Sequence, residues 1–166
     1  MLLHLLENRT MKVLMVCLGN ICRSPLAEGI LQHKCEQLGL DWQVDSAGTN
    51  GYHHGEPPHC LSQRIAKLNG IDISKQESRP FRSSDYADFD LIVPMANDVL
   101  EDIQQISRQH FSASKTKLML DFLFPETGMD VPDPWSKSEA AYHEVFDLID
   151  KACDKLIQAY TSIKQP

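Results

Sequence analysis

Apolar residues fall along the chain in two patterns that alternate. Val13-Leu14-Met15-Val16 and Leu91-Ile92-Val93 are unbroken apolar runs of strand length, as expected of strands buried on both faces. Trp42 and Val44 alternate with polar neighbours and read as a strand ending at Asp45-Ser46-Ala47-Gly48, and Leu118-Met119-Leu120 reads as a further strand. Between these runs the spacing turns helical. Leu26, Ala27, Ile30, Leu31, Cys35 and Leu38 form one stripe that stops at Gly39. Leu61, Ile65 and Leu68 form a shorter stripe, and Val99, Leu100, Ile103 and Ile106 a third. Residues 74–88 are polar and contain Pro80, hence loop and turn, and Phe122 to Trp135 is a long loop with three prolines. Ser136-Lys137-Ser138-Glu139 fits a capping box ahead of a long last helix, whose face is Tyr142, Val145, Phe146, Ile149, Cys153, Leu156, Ile157 and Tyr160. Strands alternating with helices predict an α/β fold of three layers, a small, mostly four-stranded parallel sheet with helices on both faces. Ligands of such sheets bind at the carboxyl ends of the strands.

Length and charge narrow the picture. A chain of 166 residues is one domain with an ordinary core. Residues 11–160 are expected to form it, with 1–10 a dispensable N-terminal extension and 161–166 a tail. The net charge of −7 argues against nucleic acid or an anionic membrane as partner. The apolar part of residues 1–10 is too short for a signal peptide, and no run of residues is long and apolar enough to span a membrane. Five cysteines, an odd number, in a chain that needs no disulfide point to a reducing cytoplasm. Cys17 and Cys22 are spaced neither as a redox pair nor as a zinc knuckle. His53, His54 and His59 fit no common ligand set and read as solvated loop histidines. No metal or cofactor is expected.

The stretch that carries chemistry runs from Val16 to Pro25, where a buried strand meets a Ser-Pro helix start with proline at the first helical position. A short loop at a helix N-terminus aims several backbone N–H groups at one spot and adds the positive end of the helix dipole, which suits a tetrahedral dianion. Arg23 closes such a cradle with a planar donor fork. Gly19 and Asn20 readily take the positive φ that a tight loop needs. Cys17, at the head of the loop, would face the phosphorus, and the donors that bind phosphate also favour its thiolate, the form that attacks. The plain alternative is a strand-to-helix turn with an inert cysteine.

Cys17-Leu18-Gly19-Asn20-Ile21-Cys22-Arg23-Ser24-Pro25 resembles the phosphate loop of the low-molecular-weight protein tyrosine phosphatases. Asp133-Pro134-Trp135 resembles that family's Asp-Pro-Tyr acid loop. Asp45-Ser46-Ala47-Gly48-Thr49, Gly55-Glu56-Pro57 and Gly70-Ile71-Asp72-Ile73-Ser74 fit bacterial members, and the resemblance spans roughly residues 11–160. It implies a phosphatase that hydrolyses phosphotyrosine in proteins through a phosphocysteine, releasing inorganic phosphate. Cys17, Arg23 and the general acid Asp133 would be catalytic. Leu18, Gly19, Asn20, Ile21, Cys22 and Ser24 would hold the phosphate, and Tyr52 and Trp135 would form the two walls of an aromatic slot. Asn20 and Ser46 would brace the loop, with Ser24 donating to the Cys17 sulfur. Asp130 is the internal rival to Asp133. Partners would be phosphotyrosine proteins and, by analogy, a cognate tyrosine kinase. The chain departs from the family near Lys75 or Gln76, where many members carry a His, at Ala96, which follows Met95 in place of an Asp, and at Pro58-His59-Cys60-Leu61. Arsenate reductase, which needs two further relay cysteines, and protein-arginine phosphatase, which carries a small Thr where Ile21 stands, are the rival enzymes. A non-catalytic phosphate- or phosphopeptide-binding module is the rival of another class; Cys17 and Asp133 together speak against it. A thiolate at Cys17 beside Cys22 also has the pattern of a reversible oxidation switch.

Overall fold

The computed structural model describes residues 10–161. The expectations for residues 1–10 and 161–166 therefore lie almost wholly outside the described residues. β1 (Met11–Cys17) leads through the phosphate loop to α1 (Arg23–Gln37), and β2 (Trp42–Gly48) follows. Next come α2 (Cys60–Leu68), the single turn α3 (Asp85–Asp88), β3 (Leu91–Pro94), α4 (Asn97–Ser107) and α5 (Glu139–Tyr160). The strands form a parallel sheet in the order β2-β1-β3, with Cys17 opposite Gly48 and Val13 opposite Leu91.

The alternation of side chains along β1 builds two cores. Val13, Met15 and Cys17 join the larger one, with Leu26, Ile30 and Leu31 of α1 and Tyr142, Ile149 and Leu156 of α5. Leu14 and Val16 join the smaller one on the other side, with Ile92 of β3 and Val99 and Ile103 of α4. Both faces of β1 are dry, which is why its sequence shows no polar alternation. Lys34 of α1 meets Asp150 at 3.0 Å and Asp154 at 2.8 Å, tying α1 to α5. Cys35 and Cys153 are buried in the larger core. No helix among the described residues is long and apolar enough to cross a membrane.

Three expectations need correction. Among the described residues the sheet has three strands, because Leu118-Met119-Leu120 does not pair along its length. One bridge joins Ile92 to Thr116, Lys117 N–H donates to the Ile92 carbonyl at 3.1 Å, and the chain then turns into 3-10 helix over Met119–Asp121. That turn buries Met119 and Leu120 in the larger core, and three apolar residues carry no periodicity by which strand and turn could be told apart. The last helix starts at Glu139 with Ser138 before it and without a side-chain cap, so the capping box is not formed; Ser136 takes φ +60°, which is incompatible with the cap position. Finally, α1 begins at Arg23, so Pro25 lies within the first turn rather than at its first residue, still among the positions whose N–H has no helical partner.

Candidate active site

The last residue of β1 is Cys17, and five residues later α1 opens on Arg23. The chain turns through Asn20, which takes φ +56°, the left-handed region that Asn tolerates better than most side chains. The turn brings the Asn20 backbone N–H to the Cys17 sulfur at 3.2 Å. The Ser24 hydroxyl lies 2.9 Å from the same sulfur. Asn20 Nδ2 donates to Ser24 Oγ at 2.8 Å and to Ser46 Oγ at 2.9 Å, while its Oδ1 accepts the Arg79 N–H at 3.0 Å. The Ser24 oxygen thus already accepts one hydrogen bond, which leaves its own hydrogen for the sulfur. Two donors converge on Cys17, and hydrogen bonds to an ionised sulfur are stronger than those to a thiol.

The brace continues outward. Ser46 Oγ donates to Glu28 Oε1 at 3.3 Å. Burial, and then the neighbouring Asp45 carboxylate, push the Glu28 carboxyl up to about 8, so it is a neutral acid at neutral pH. Asp45 pairs with Arg79 at 3.0 Å, and Arg79 also meets buried Asp85 at 3.2 Å. Gln76, where many members have a nearby His, donates instead to the Pro25 carbonyl at 3.1 Å.

Arg23 is buried at the helix start. Its Nη1 donates to the Val131 carbonyl at 3.1 Å, and its Nη2 lies 3.6 Å from Asp133 Oδ2. Asp133 in turn accepts the Trp135 N–H at 3.0 Å, an Asx turn that fixes Asp-Pro-Trp as a unit. The phosphate loop and the acid loop therefore meet at Arg23. Between them lies a cleft of about 140 Å³ lined by Cys17, Leu18, Gly19, Ile21, Cys22, Arg23, Asn50, His53, Asp133 and Trp135. Asn20 and Ser24 sit beneath the cleft as braces.

Tyr52 does not reach it. Its ring stands 87 % exposed at the loop tip, and His53 lines the cleft in its stead, with Nδ1 2.7 Å from Glu56 Oε2. Trp135 forms the other wall, its ring 5.9 Å from that of His53. Asp130 turns away: its Oδ1 accepts the Asn97 backbone N–H at 2.8 Å at the start of α4. Cys22 faces the Tyr142 hydroxyl at 3.5 Å, and burial pushes its thiol up to about 11. Sequence reasoning missed His53 as a lining residue and Arg79 as a brace. The i, i+3 spacing of His53 and Glu56 was the one local signal for the former, and the latter had none.

A family model described as low molecular weight phosphotyrosine protein phosphatase matches residues 12–165. Low molecular weight protein-tyrosine-phosphatase YfkJ of Bacillus subtilis is 36 % identical over 155 residues, covering 92 % of this chain and 97 % of that protein. Its crystal structure superposes with a TM-score of 0.85, covering 95 % of this chain and 99 % of the other. The human low molecular weight phosphotyrosine protein phosphatase is 32 % identical over 92 % of this chain and 97 % of its own length. A Drosophila arginine phosphatase has a structure that matches with a TM-score of 0.82 at 30 % identity, covering 90 % of this chain and 98 % of the other. With the match running through both loops and the helices that carry them, the chain belongs to the low-molecular-weight phosphotyrosine protein phosphatase family.

Proposed function

We propose that this protein hydrolyses phosphotyrosine in proteins through a phosphocysteine at Cys17. The observation that carries the reading is the Cys17 sulfur, held by Ser24 and the Asn20 N–H at the floor of a cleft that Asp133 and Arg23 enter from above. In the first step the phosphate oxygens occupy the loop of backbone N–H groups and the Arg23 fork, and the thiolate attacks phosphorus. The leaving phenolate is a poor leaving group, so Asp133 gives it a proton as the P–O bond breaks. The resulting carboxylate then takes a proton from water as that water attacks the phosphocysteine, releasing inorganic phosphate and restoring the thiolate.

Specificity follows from the walls. Trp135 on one side and His53 with Leu18 on the other leave a slot for a flat ring, and Ile21 fills the position where protein-arginine phosphatases keep a small residue. The likeness to the Drosophila arginine phosphatase keeps phosphoarginine as the second reading. An arsenate reductase would need two relay cysteines within reach of Cys17; Cys35 and Cys153 are deep in the core, burial pushes the Cys35 thiol up to about 12, and Cys60 does not line the cleft, which leaves Cys22 alone beside Cys17. Turnover of p-nitrophenyl phosphate, phosphotyrosine, phosphoarginine and arsenate by the same preparation tests all three: the expected order puts phosphotyrosine well above phosphoarginine, with no arsenate reduction. A phosphoarginine rate above that on phosphotyrosine would overturn the reading. The natural partners in this account are phosphotyrosine proteins in the cytoplasm, among them a tyrosine kinase whose phosphorylation the enzyme reverses, and Cys17 with Cys22 makes the enzyme sensitive to oxidants.

A further inference from the structure

His59 sits where four parts of the molecule meet. Its backbone N–H donates to the Ile21 carbonyl of the phosphate loop at 2.8 Å. Its Nδ1 accepts the Leu61 N–H at 3.1 Å and so caps α2; the hydrogen on its ring is therefore on Nε2. Its ring stacks on buried Tyr142 of α5, with centroids 5.3 Å apart and planes at 19°. The ring also meets the Trp135 ring edge-on at 5.5 Å and 76°, a favoured arrangement for such pairs. Tyr142 in turn touches Cys22 of the phosphate loop. A continuous run of rings thus joins the acid loop to the floor of the phosphate loop, and His59 is its middle member.

Trp135 needs such a contact. It is 47 % exposed, and the acid loop that carries it is a loop with few regular hydrogen bonds. Upstream of Asp133 the loop is held by the Val131 N–H, which donates to the Met95 carbonyl at 2.8 Å, by Asp130 at the start of α4 and by the Arg23–Val131 bond. From Asp133 to Trp135, the Arg23–Asp133 pair and the ring contacts of Trp135 with His53 and His59 are the ties to the rest of the site among the described residues. His59 is the more firmly held of the two, since it is fixed by backbone, cap and stack together. We propose that His59 is a positioning residue, which holds Asp133 over the phosphate loop by seating Trp135 between its own ring and the cleft. This role rests on the reading of Asp133 as general acid and assigns no chemistry to the imidazole itself.

Two kinds of substitution separate the ring from the cap. His59→Asn keeps a cap acceptor and removes the ring, with His59→Ser as a second variant of that kind; His59→Phe keeps the ring and removes the cap. The measured quantity is the ratio of kcat/KM on phosphotyrosine to kcat/KM on p-nitrophenyl phosphate, because kcat/KM reports cleavage of the P–O bond whatever the rate of phosphocysteine hydrolysis, and the phenol of higher pKa depends more on a well-placed acid. Asp133→Asn serves as the reference that collapses the ratio. His59→Asn should lower it roughly two- to tenfold, the worth of one aromatic contact. His59→Phe should hold it within about twofold of the parent while melting about 2–4 °C lower for loss of the cap. Acrylamide quenching reads the same contact without catalysis: Trp135 should become more accessible in His59→Asn and not in His59→Phe, over the constant background of Trp42, which is buried. An unchanged ratio and unchanged quenching in His59→Asn, with the ratio collapsed in Asp133→Asn, would overturn the role of His59 alone. An unchanged ratio in Asp133→Asn would instead overturn the reading of the acid, and the quenching result would then decide the contact by itself.

Discussion

At the scale of single residues, the site is a set of side chains each given one task by its partners. Asp133 and Asp130 are chemically alike and close in sequence, yet one reaches Arg23 at the cleft and the other is committed to the start of α4. In Asp133→Asn the cradle and Cys17 remain, so phosphate should still bind as a competitive inhibitor. The kcat/KM on phosphotyrosine, which reports P–O cleavage, should fall by roughly a hundred- to ten-thousand-fold, and by less on p-nitrophenyl phosphate. Asp130→Asn should show no such dependence on the leaving group, and steady-state rates on both substrates check the pair. Glu28 offers a test through pH. Its carboxyl titrates near 8 in the folded protein, against an ordinary value of 4.5, so between these values the native state keeps a proton that the unfolded chain has released. Stability from this group is complete below about pH 4.5 and is lost as pH rises through about 8. Glu28→Gln is neutral throughout and should lack that slope. Melting curves from pH 5 to 9 should therefore show the parent losing ground to Glu28→Gln as pH rises; parallel curves would sink the assignment. Cys22 is the remaining reactive neighbour. Its high thiol pKa keeps it protonated and idle in turnover; in the oxidant sensitivity proposed above, a sulfenic acid at Cys17 condenses with it, expelling water and forming a disulfide. Peroxide should inactivate the parent and dithiothreitol should restore it, whereas Cys22→Ser should recover poorly because Cys17 oxidises further. Equal recovery in the two proteins would count against the switch.

At the scale of elements, what could be read from the sequence was what is encoded locally. The phosphate loop is a strand end, a tight turn and a helix start within ten residues, and its residue types declare the turn, the cradle and the sulfur together. The gathering of Cys17 and Arg23 in one loop was therefore legible, and the Asp-Pro-aromatic setting marked out Asp133, which lines the same cleft. The apolar stripes gave α1, α4 and α5 because each buries one face over several turns. What failed was short or long-range. Leu118-Met119-Leu120 is too short to show a period. His53 and His59 read as solvated because their ring partners, Trp135 and Tyr142, lie far along the chain. Tyr52 read as a wall because resemblance gives a position and not an orientation; in this chain the loop turns its ring out to solvent. Arg79 looked like one charge in a polar loop, whereas its N–H closes the hydrogen bonding of Asn20 and its fork joins Asp45 to Asp85.

At the scale of the whole molecule, the described elements run from β1 to α5, and the family match begins at residue 12. We therefore expect a chain begun at Met11 to keep its activity and its melting temperature; a loss of several degrees would mean that Leu2, Leu3, Leu5 and Leu6 contribute packing. The central strand carries a last consequence. β1 is paired on both sides, and its odd and even residues feed different cores. Cys17 rides on that pairing as its final residue. If β1 threads one position out of step, Val16 or Leu18 stands at the head of the phosphate loop, and every apolar residue of the strand still finds an apolar layer to enter. Such a molecule would have nearly the same size and helix content and no chemistry at all. Active-site titration of a fully reduced preparation would therefore report how many chains hold β1 in register, which neither hydrodynamic radius nor circular dichroism supplies.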